Sequence, residues 1–441
     1  MGRKRYAADL YVSMNGQNVG TLTRTSGGKL EFFYSEAWLQ SEHCRPLSLS
    51  MPLGERTFSG ELVENFFDNL LPDSQPIRNR IQARFGASAN KSFDLLWHVG
   101  RDCVGALQLT PEEAPPDVRR IKTKALTDSQ IADTLRNYRT RPLGMREEED
   151  FRISIAGAQE KTALLWLDGQ WRLPLGATPT SHIFKLPIGN IEHSGMDLSD
   201  SVENEWLCHL ILKAYGLPVA NAEMGVFEGV KALVIERFDR RWAKDRSWLM
   251  RLPQEDMCQA LNVPSVLKYE SDGGPGIVRI MDLLFGSVDS LADRQTFMTL
   301  NLLYWVLAAI DGHAKNFSIF LLPGGSFQLT PAYDVMSAYP LVAEKQLEAH
   351  KLKMAMALTG KRRHYEWTHI LHRHWLATAK NCRFPTDKMA AVIDDVLERM
   401  DDVIGQVTGQ LPATFPDAVA EPIFDGMRNA REKMARSKTV G

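Results

Sequence analysis

Cysteine is scarce in this chain: five residues (Cys44, Cys103, Cys208, Cys258 and Cys382) are scattered through 441 positions without any C-x-x-C spacing. That excludes a disulfide framework or a cysteine zinc site and points to a reducing, cytoplasmic setting. Long apolar runs are missing too, since the longest, Leu302 to Ile310, is about half of what a membrane span needs. The N-terminus turns polar by Asp9 and Ser13 with no apolar stretch that would read as a signal peptide. Neither charge sign dominates: 52 Lys and Arg face 54 Asp and Glu, a formal charge of −2. A stand-alone nucleic-acid coat and a solvating acidic chain are both excluded. Internal repeats and low-complexity tracts are absent. What remains is a globular composition, 44% hydrophobic and 24% charged, of a length suited to about three domains.

The first segment alternates as a strand (Leu10, Val12, Met14), Asn15-Gly16, and a second strand (Val19, Thr21, Leu22), a hairpin signature because Asn and Gly accept positive φ. A third strand is expected at Leu30 to Tyr34. Helical spacing follows at Leu62, Phe66, Phe67, Leu70 and Leu71, stopping at Pro72, and again from Phe93 to Trp97. Pro111 to Pro116 reads as a linker or a surface loop. Strands are then expected at Phe151–Ile155, Thr162–Leu167, Ile183–Leu186, Met224–Phe227 and Ala232–Glu236. One helix lies among them, capped by Ser199 or Asp200, with Val202, Trp206, Leu207, Leu210 and Ile211 on one face and Gly216 as its stop. Beyond residue 250 the pattern is mostly helical. It includes Phe297 to Ile310 and a closing amphipathic helix with Met389, Val392, Ile393, Val396, Leu397 and Met400 on one stripe. The fold class predicted is α+β and bilobal: an N-terminal α+β unit over 1–110, a β-rich lobe over 111–250 and a mainly helical lobe over 251–441.

The chemistry concentrates in Asp311-Gly-His-Ala-Lys-Asn316, between the apolar helix and an apolar strand at Phe317–Leu322. Asp311 and Asn316 stand five apart, the separation that protein kinases use in H-R-D-x-x-x-x-N, where the aspartate takes the acceptor hydroxyl proton and the asparagine holds Mg²⁺. A second carboxylate, Asp334 after Tyr333, follows the next strand, where a kinase keeps its metal-binding aspartate. Taken alone, each is an ordinary turn or loop residue. Their order adds weight. A strand, the loop Ala156-Gly157-Ala158-Gln159-Glu160-Lys161, a strand, Lys185 on a third strand and a helix with Glu203 and Glu205 repeat the succession of a kinase nucleotide lobe. The loop has neither G-x-x-x-x-G-K-[ST] nor G-x-G-x-x-G.

Seven segments carry a family likeness: Ile153–Lys161, Ile183–Pro187, Glu236–Arg240, Arg251–Asp256, Tyr269–Gly276, Asp311–Asn316 and Tyr333-Asp334, joined by Phe66–Asp73 near the N-terminus. Together they resemble the HipA family, bacterial serine/threonine protein kinases that act as the toxin of a two-component toxin–antitoxin module. The resemblance implies a kinase-like fold and dependence on ATP and Mg²⁺. It implies Asp311 as catalytic base, Asn316 and Asp334 as Mg²⁺ ligands and Lys185 on the ATP phosphates. Ala156 to Lys161 would be the phosphate loop and Glu236, Arg237 and Phe238 the hinge meeting adenine, with His313, Ala314, Lys315 and Tyr333 also at the nucleotide. Which of Glu203 and Glu205 pairs with Lys185 stays open. It further implies autophosphorylation on Ser154, a substrate in the translation machinery such as an aminoacyl-tRNA synthetase (glutamyl-tRNA synthetase for example), and a helix-turn-helix antitoxin through which the toxin acts as corepressor on operator DNA. Two other readings are a catalytically idle ATP-binding corepressor and a small-molecule kinase.

Between Lys361 and Arg383 six basic residues face one acid, Glu366. Such a run is usually a solvated helix face; under the resemblance, Lys380 and Arg383 would contact the DNA backbone, adding affinity without base readout. His369, His372 and His374 are unevenly spaced and lack a carboxylate or cysteine suited to closing a metal site.

Overall fold

Asn15 and Gly16 take φ of 49° and 80°, the pair of left-handed residues a tight hairpin needs, and β1 (Ala8–Met14) returns as β2 (Gln17–Arg24). With β3 (Leu30–Tyr34), β4 (Thr57–Ser59) and β5 (Leu107–Thr110) they form an antiparallel sheet in the order β4-β3-β2-β1-β5. Its inward positions, among them Leu10, Val12, Leu22 and Phe32, are buried with Phe66, Phe67, Ile77, Ile81, Phe93 and Leu96 of three helices, Glu61–Asp68, Gln75–Phe85 and Ser92–Val99. The middle helix is an addition to the sequence pattern, which stops at Pro72. The chain restarts at Ser74 with Pro76 in the first turn and ends on Gly86 at φ 62°, a start and stop that favour a separate helix.

The computed structural model describes residues 8–137, 159, 161–191 and 195–439. The expected strand Phe151–Ile155 lies outside them. A second sheet uses β6 (Thr123–Ala125), β7 (Lys161–Leu167), β8 (Gln170–Pro174) and β9 (His182–Lys185). After a small hairpin of β10 (Gly189–Ile191) and β11 (Met196–Leu198), β12 (Ala222–Phe227) and β13 (Val230–Glu236) complete the order β12-β13-β9-β7-β8-β6. Leu164, Phe184 and Val234 pack here with Ile131 and Leu135 of the helix Asp128–Arg136. The fold is α+β, in two compact units. The first comprises Met1–Leu186, Gly225–Val266 and Ser318–Phe327; the second comprises Pro187–Met224, Leu267–Phe317 and Gln328–Gly441 and is mainly helical.

A buried charge cluster ties the first unit together. The Asp102 carboxylate accepts from Arg240 Nη2 at 2.9 Å, Arg251 Nε at 3.0 Å, the Thr180 hydroxyl at 2.8 Å and Arg237 Nη1 at 3.5 Å. Asp239 takes Arg237 through both oxygens, at 2.9 and 2.8 Å, and the Gly105 N–H at 2.7 Å. Burial alone would raise the Asp102 carboxyl, but the guanidiniums of Arg240, Arg251 and Arg237 outweigh it and hold the group below the usual carboxylate range. A different carboxyl, Glu255, has no cation beside it among the described residues to offset its burial. It rests on the Ser48 hydroxyl (2.5 Å) and the Leu49 N–H (2.8 Å) and is pushed up to about 8.

In the second unit the helix Ser201–Ala214 is buried nearly all round, including Glu203, Asn204, Glu205 and His209, rather than along one apolar face. The Asn204 side chain bonds the Ser337 backbone in both directions, each at 2.8 Å. The apolar helix runs Ser290–Val306, shorter at its end than the predicted Ile310 because Ala308 turns to φ 47°. The stripe from Met389 to Met400 divides between Thr386–Glu398 and Met400–Thr408, and the helix that closes the chain is Asp417–Thr439. Trp305 and Trp367 each donate an indole N–H to the other's carbonyl, at 3.1 and 2.7 Å. Among the described residues no helix is long and apolar enough to cross a membrane.

Two stability measurements follow from the carboxylates. Replacing Asp102 with Asn leaves three guanidiniums facing one buried carboxylate and is expected to cost about 3–5 kcal/mol in denaturant unfolding. Glu255 keeps its proton in the folded chain up to about pH 8, whereas an unfolded glutamate ionises near pH 4.3. Its contribution is therefore complete at low pH and is lost as pH rises through the folded value. Between about pH 5 and 8 the wild-type melting temperature should fall more steeply than that of Glu255→Gln, and above about pH 8 the two should run parallel.

Candidate active site

The apolar helix Ser290–Val306 delivers the candidate catalytic turn. Once Ala308 breaks the helix, the Ala309 N–H returns to the Tyr304 carbonyl at 2.7 Å and the chain emerges at Asp311. Gly312 lies against the Tyr304 ring so closely that a Cβ would stand 2.3 Å from Cδ2. The His313 N–H bonds the Asp311 carbonyl at 2.8 Å, and Ala314–Asn316 forms a short 3-10 turn. Asp311 is exposed, whereas His313, Ala314, Lys315 and Asn316 behind it are buried.

Asn316 gathers the turn. Its side-chain amide N–H donates to the Asp311 carbonyl at 2.9 Å and reaches the Asp334 carbonyl at 3.5 Å. With the nitrogen committed to two carbonyls, Oδ1 is the atom turned away from them, and among the described residues nothing bonds it. Half-buried Asp334 sits at φ 62°, a left-handed conformation that is uncommon for a residue other than glycine and is found at functional sites. The chain before it is anchored by paired backbone bonds, Ala332 N–H to the Pro218 carbonyl (2.8 Å) and Ala220 N–H to the Ala332 carbonyl (2.9 Å). The Tyr333 hydroxyl donates to the Lys315 carbonyl at 2.8 Å. The structure thus brings Asp311, Asn316, Tyr333 and Asp334 together. An amide oxygen and a carboxylate are hard donors of the kind Mg²⁺ takes in small number when phosphates and water complete its shell. Among the described residues no group of three or more His, Cys, Asp or Glu is disposed to hold a metal by itself.

Tyr269 is a neighbour to which the sequence reading assigned no role. Its hydroxyl donates to Asp311 Oδ1 at 2.5 Å, and its ring meets His313 edge-on at 5.0 Å. The signal available was its place ahead of a Gly-Gly-Pro-Gly run, which implies a tight backbone reversal.

In the first unit, Lys185 closes β9 in the interior of the sheet, level with Lys161 on β7 and Leu233 on β13, and both lysines are buried. The Gln159 amide donates to the Leu186 carbonyl at 3.0 Å. Ser154, Ala156, Gly157, Ala158 and Glu160 lie outside the described residues. Glu236, exposed, ends β13, and Phe238 meets Phe320 edge-on at 5.8 Å. Arg237 departs from the hinge expectation, because its side chain points into the cluster with Asp102, Asp239 and the Cys103 carbonyl. Its backbone is engaged as well: the N–H donates to the Ser181 carbonyl at 2.9 Å and the carbonyl accepts the Arg240 N–H at 3.1 Å.

Lys380, in the last turn of the helix His372–Asn381, is exposed. Exposed Arg383 reaches Asp282 at 2.7 Å, a pair open to solvent on both sides and therefore easily exchanged for another anion. His369 is exposed, whereas His374 is buried and stacks on His364 with centroids 3.8 Å apart. Burial, then His364 and Arg373, push His374 down to about 4.

Residues 153–404 match the family model described as the HipA-like C-terminal domain, and residues 10–110 match the HipA N-terminal domain. A Sinorhizobium fredii protein named as a kinase, Y4mE, is 37% identical over 347 residues, 76% of this chain and 79% of that one. A Shewanella oneidensis protein named serine/threonine-protein kinase toxin HipA is 26% identical over 396 residues, 87% of this chain and 85% of the relative. A chain in the solved Shewanella oneidensis complex of HipA, HipB and operator DNA shares the fold, with a TM-score of 0.81, 22% identity and 97% of both chains covered.

The contact beneath the catalytic turn is testable by stability. Gly312→Ala drives a methyl into the buried Tyr304 ring and is expected to lower unfolding free energy by about 1–3 kcal/mol in a denaturant titration, as overpacking of a close-packed interior does.

Proposed function

The chain belongs to the HipA family and is a kinase, and from that premise we propose that it is an ATP- and Mg²⁺-dependent serine/threonine protein kinase serving as the toxin of a type II toxin–antitoxin pair. The observation that carries the reading is the Asn316 side chain. One amide bonds the backbone of both the candidate base, Asp311, and the candidate metal ligand, Asp334. A phosphotransferase needs base and metal ligands at fixed separation, because its catalysis is largely positioning and charge neutralisation.

In this reading Asp311 receives the proton of the acceptor hydroxyl. Asn316 Oδ1 and the Asp334 carboxylate would hold Mg²⁺, which supplies charge neutralisation on the nucleotide phosphates. Lys185 and the loop Ala156 to Lys161 bind those phosphates, with His313, Ala314, Lys315 and Tyr333 also at the nucleotide. Of the expected hinge residues, Glu236 and Phe238 meet the adenine, while Arg237 is held in the buried charge cluster. Ser154 is the autophosphorylation site. A phosphate there adds roughly −1.5 to −2 charges beside the triphosphate loop and opposes ATP binding. The protein substrate belongs to the translation machinery, an aminoacyl-tRNA synthetase such as the glutamyl enzyme. The partner is a helix-turn-helix antitoxin, with which the chain acts as corepressor on operator DNA while Lys380 and Arg383 touch the backbone. The Shewanella complex, described as HipA, HipB and operator DNA, supports that assembly.

The test is transfer of labelled γ-phosphate to protein. Asp311→Gln is expected to retain ATP binding and lose about 10²- to 10⁴-fold in rate, the usual effect of removing a general base, while Asp334→Asn weakens Mg-ATP binding itself. An Asp311→Gln chain as active as wild type would overturn the assignment.

A further inference from the structure

The segment Tyr269–Gly276 is folded tightly against the catalytic turn. The Lys268 carbonyl accepts the Ala314 N–H at 3.2 Å, and the Tyr269 carbonyl accepts the N–H groups of Asp272 and Gly274 at 3.1 and 2.9 Å. That reversal requires glycine. A Cβ on Gly274 would stand 1.9 Å from the Leu267 carbonyl oxygen, and one on Gly276 would stand 2.1 Å from the Glu270 carboxyl carbon. Glu270 in turn accepts the Ala357 N–H at 2.7 Å and lies 3.5 Å from Arg363. Tyr269 is therefore fixed by both sequence neighbours, with its ring edge on His313 and its hydroxyl 2.5 Å from Asp311 Oδ1. Among the described residues nothing bonds the other oxygen, Oδ2.

Resting on the reading of Asp311 as catalytic base, we infer that Tyr269 is a positioning residue for that base. It holds Oδ1 and leaves Oδ2 to face the acceptor hydroxyl. An exposed aspartate on a turn samples several carboxylate rotations, since its terminal torsion is broad. One short bond to an ionised oxygen, which is stronger than a neutral one, selects among them. Transfer is fast only from the aligned geometry. The arrangement also accounts for the motif as a whole: the glycines permit the reversal, Glu270 pins its far side, and the tyrosine is what the reversal delivers.

The experiment follows single-turnover consumption of γ-phosphate-labelled ATP by the full-length chain, with casein as a generic acceptor. Label is counted on the chain, on casein and as free phosphate. Tyr269→Phe keeps the ring against His313 and is expected to lower the rate about 10- to 100-fold, the range for losing one bond to a charged group. ATP binding, read with a fluorescent nucleotide, should change less than about twofold, because the contact acts on the reacting geometry rather than on the ground-state nucleotide. On an Asp311→Gln background the same change should add no further loss, since Tyr269 acts through that carboxylate. An unchanged rate, a loss that multiplies with Asp311→Gln, or a parallel loss of ATP binding would overturn the inference. So would a faster Tyr269→Phe or label on Tyr269, which would make the phenol an occupant of the acceptor's place. A wild-type chain that consumes no ATP, or a fully active Asp311→Gln, would instead remove the kinase reading of Asp311 and this inference with it.

Discussion

The first unit depends on one buried carboxylate. Asp102 is met by guanidiniums from Arg237, Arg240 and Arg251 and by the Thr180 hydroxyl, groups drawn from segments far apart in sequence. Removing these charges from water is unfavourable, and only their mutual pairing, helped by Asp239, makes the interior tolerable. The pairing is directional as well as strong, because a guanidinium presents its donors in a fixed fork. Arg251 also carries the chain to Asn15, whose side chain bonds the Arg251 backbone in both directions, at 2.8 and 2.9 Å. The hairpin turn at the N-terminus and the strand β13 are thereby referred to the same point.

The second unit solves a different problem, the presentation of an exposed carboxylate from an apolar interior. The helix Ser290–Val306 must end abruptly, and the turn it releases must lie flat on Tyr304. Glycine at position 312 satisfies the contact, and the Asn316 amide ties the turn to itself and to the Asp334 backbone. Asp334 at positive φ is an unfavourable conformation maintained by neighbours: the backbone bonds of Ala332 and the Tyr333 hydroxyl bond to Lys315.

Much of this was readable before any coordinates. The Asn15-Gly16 hairpin, the strands near 183 and 232 and the helix entering Asp311 all follow from local rules, since turn residues and apolar spacing act over a few positions. The Asp311–Asn316 spacing was readable for the same reason: one short turn carries both groups. Arg237 was not. In the sequence it is part of a motif beside a hinge, and its burial against Asp102 depends on a residue 135 positions away. The helix Gln75–Phe85 was hidden by weak apolar periodicity. The stripe from Met389 to Met400 looked continuous because its apolar spacing persists across the break at Arg399. Tyr269 had no legible role because nothing in the order of residues says that its hydroxyl meets a carboxylate 42 positions on.

By itself the sequence determined the α+β class, most of the elements and the types of residue that chemistry requires, because periodicity, turn propensity and motif spacing are local properties of the chain. Only the tertiary structure decided which charges are buried as scaffold and which stay exposed for reaction. Burial and pairing are set by segments that meet in space, which is why Arg237 became a strut, Gly312 a contact and Tyr269 a partner of Asp311.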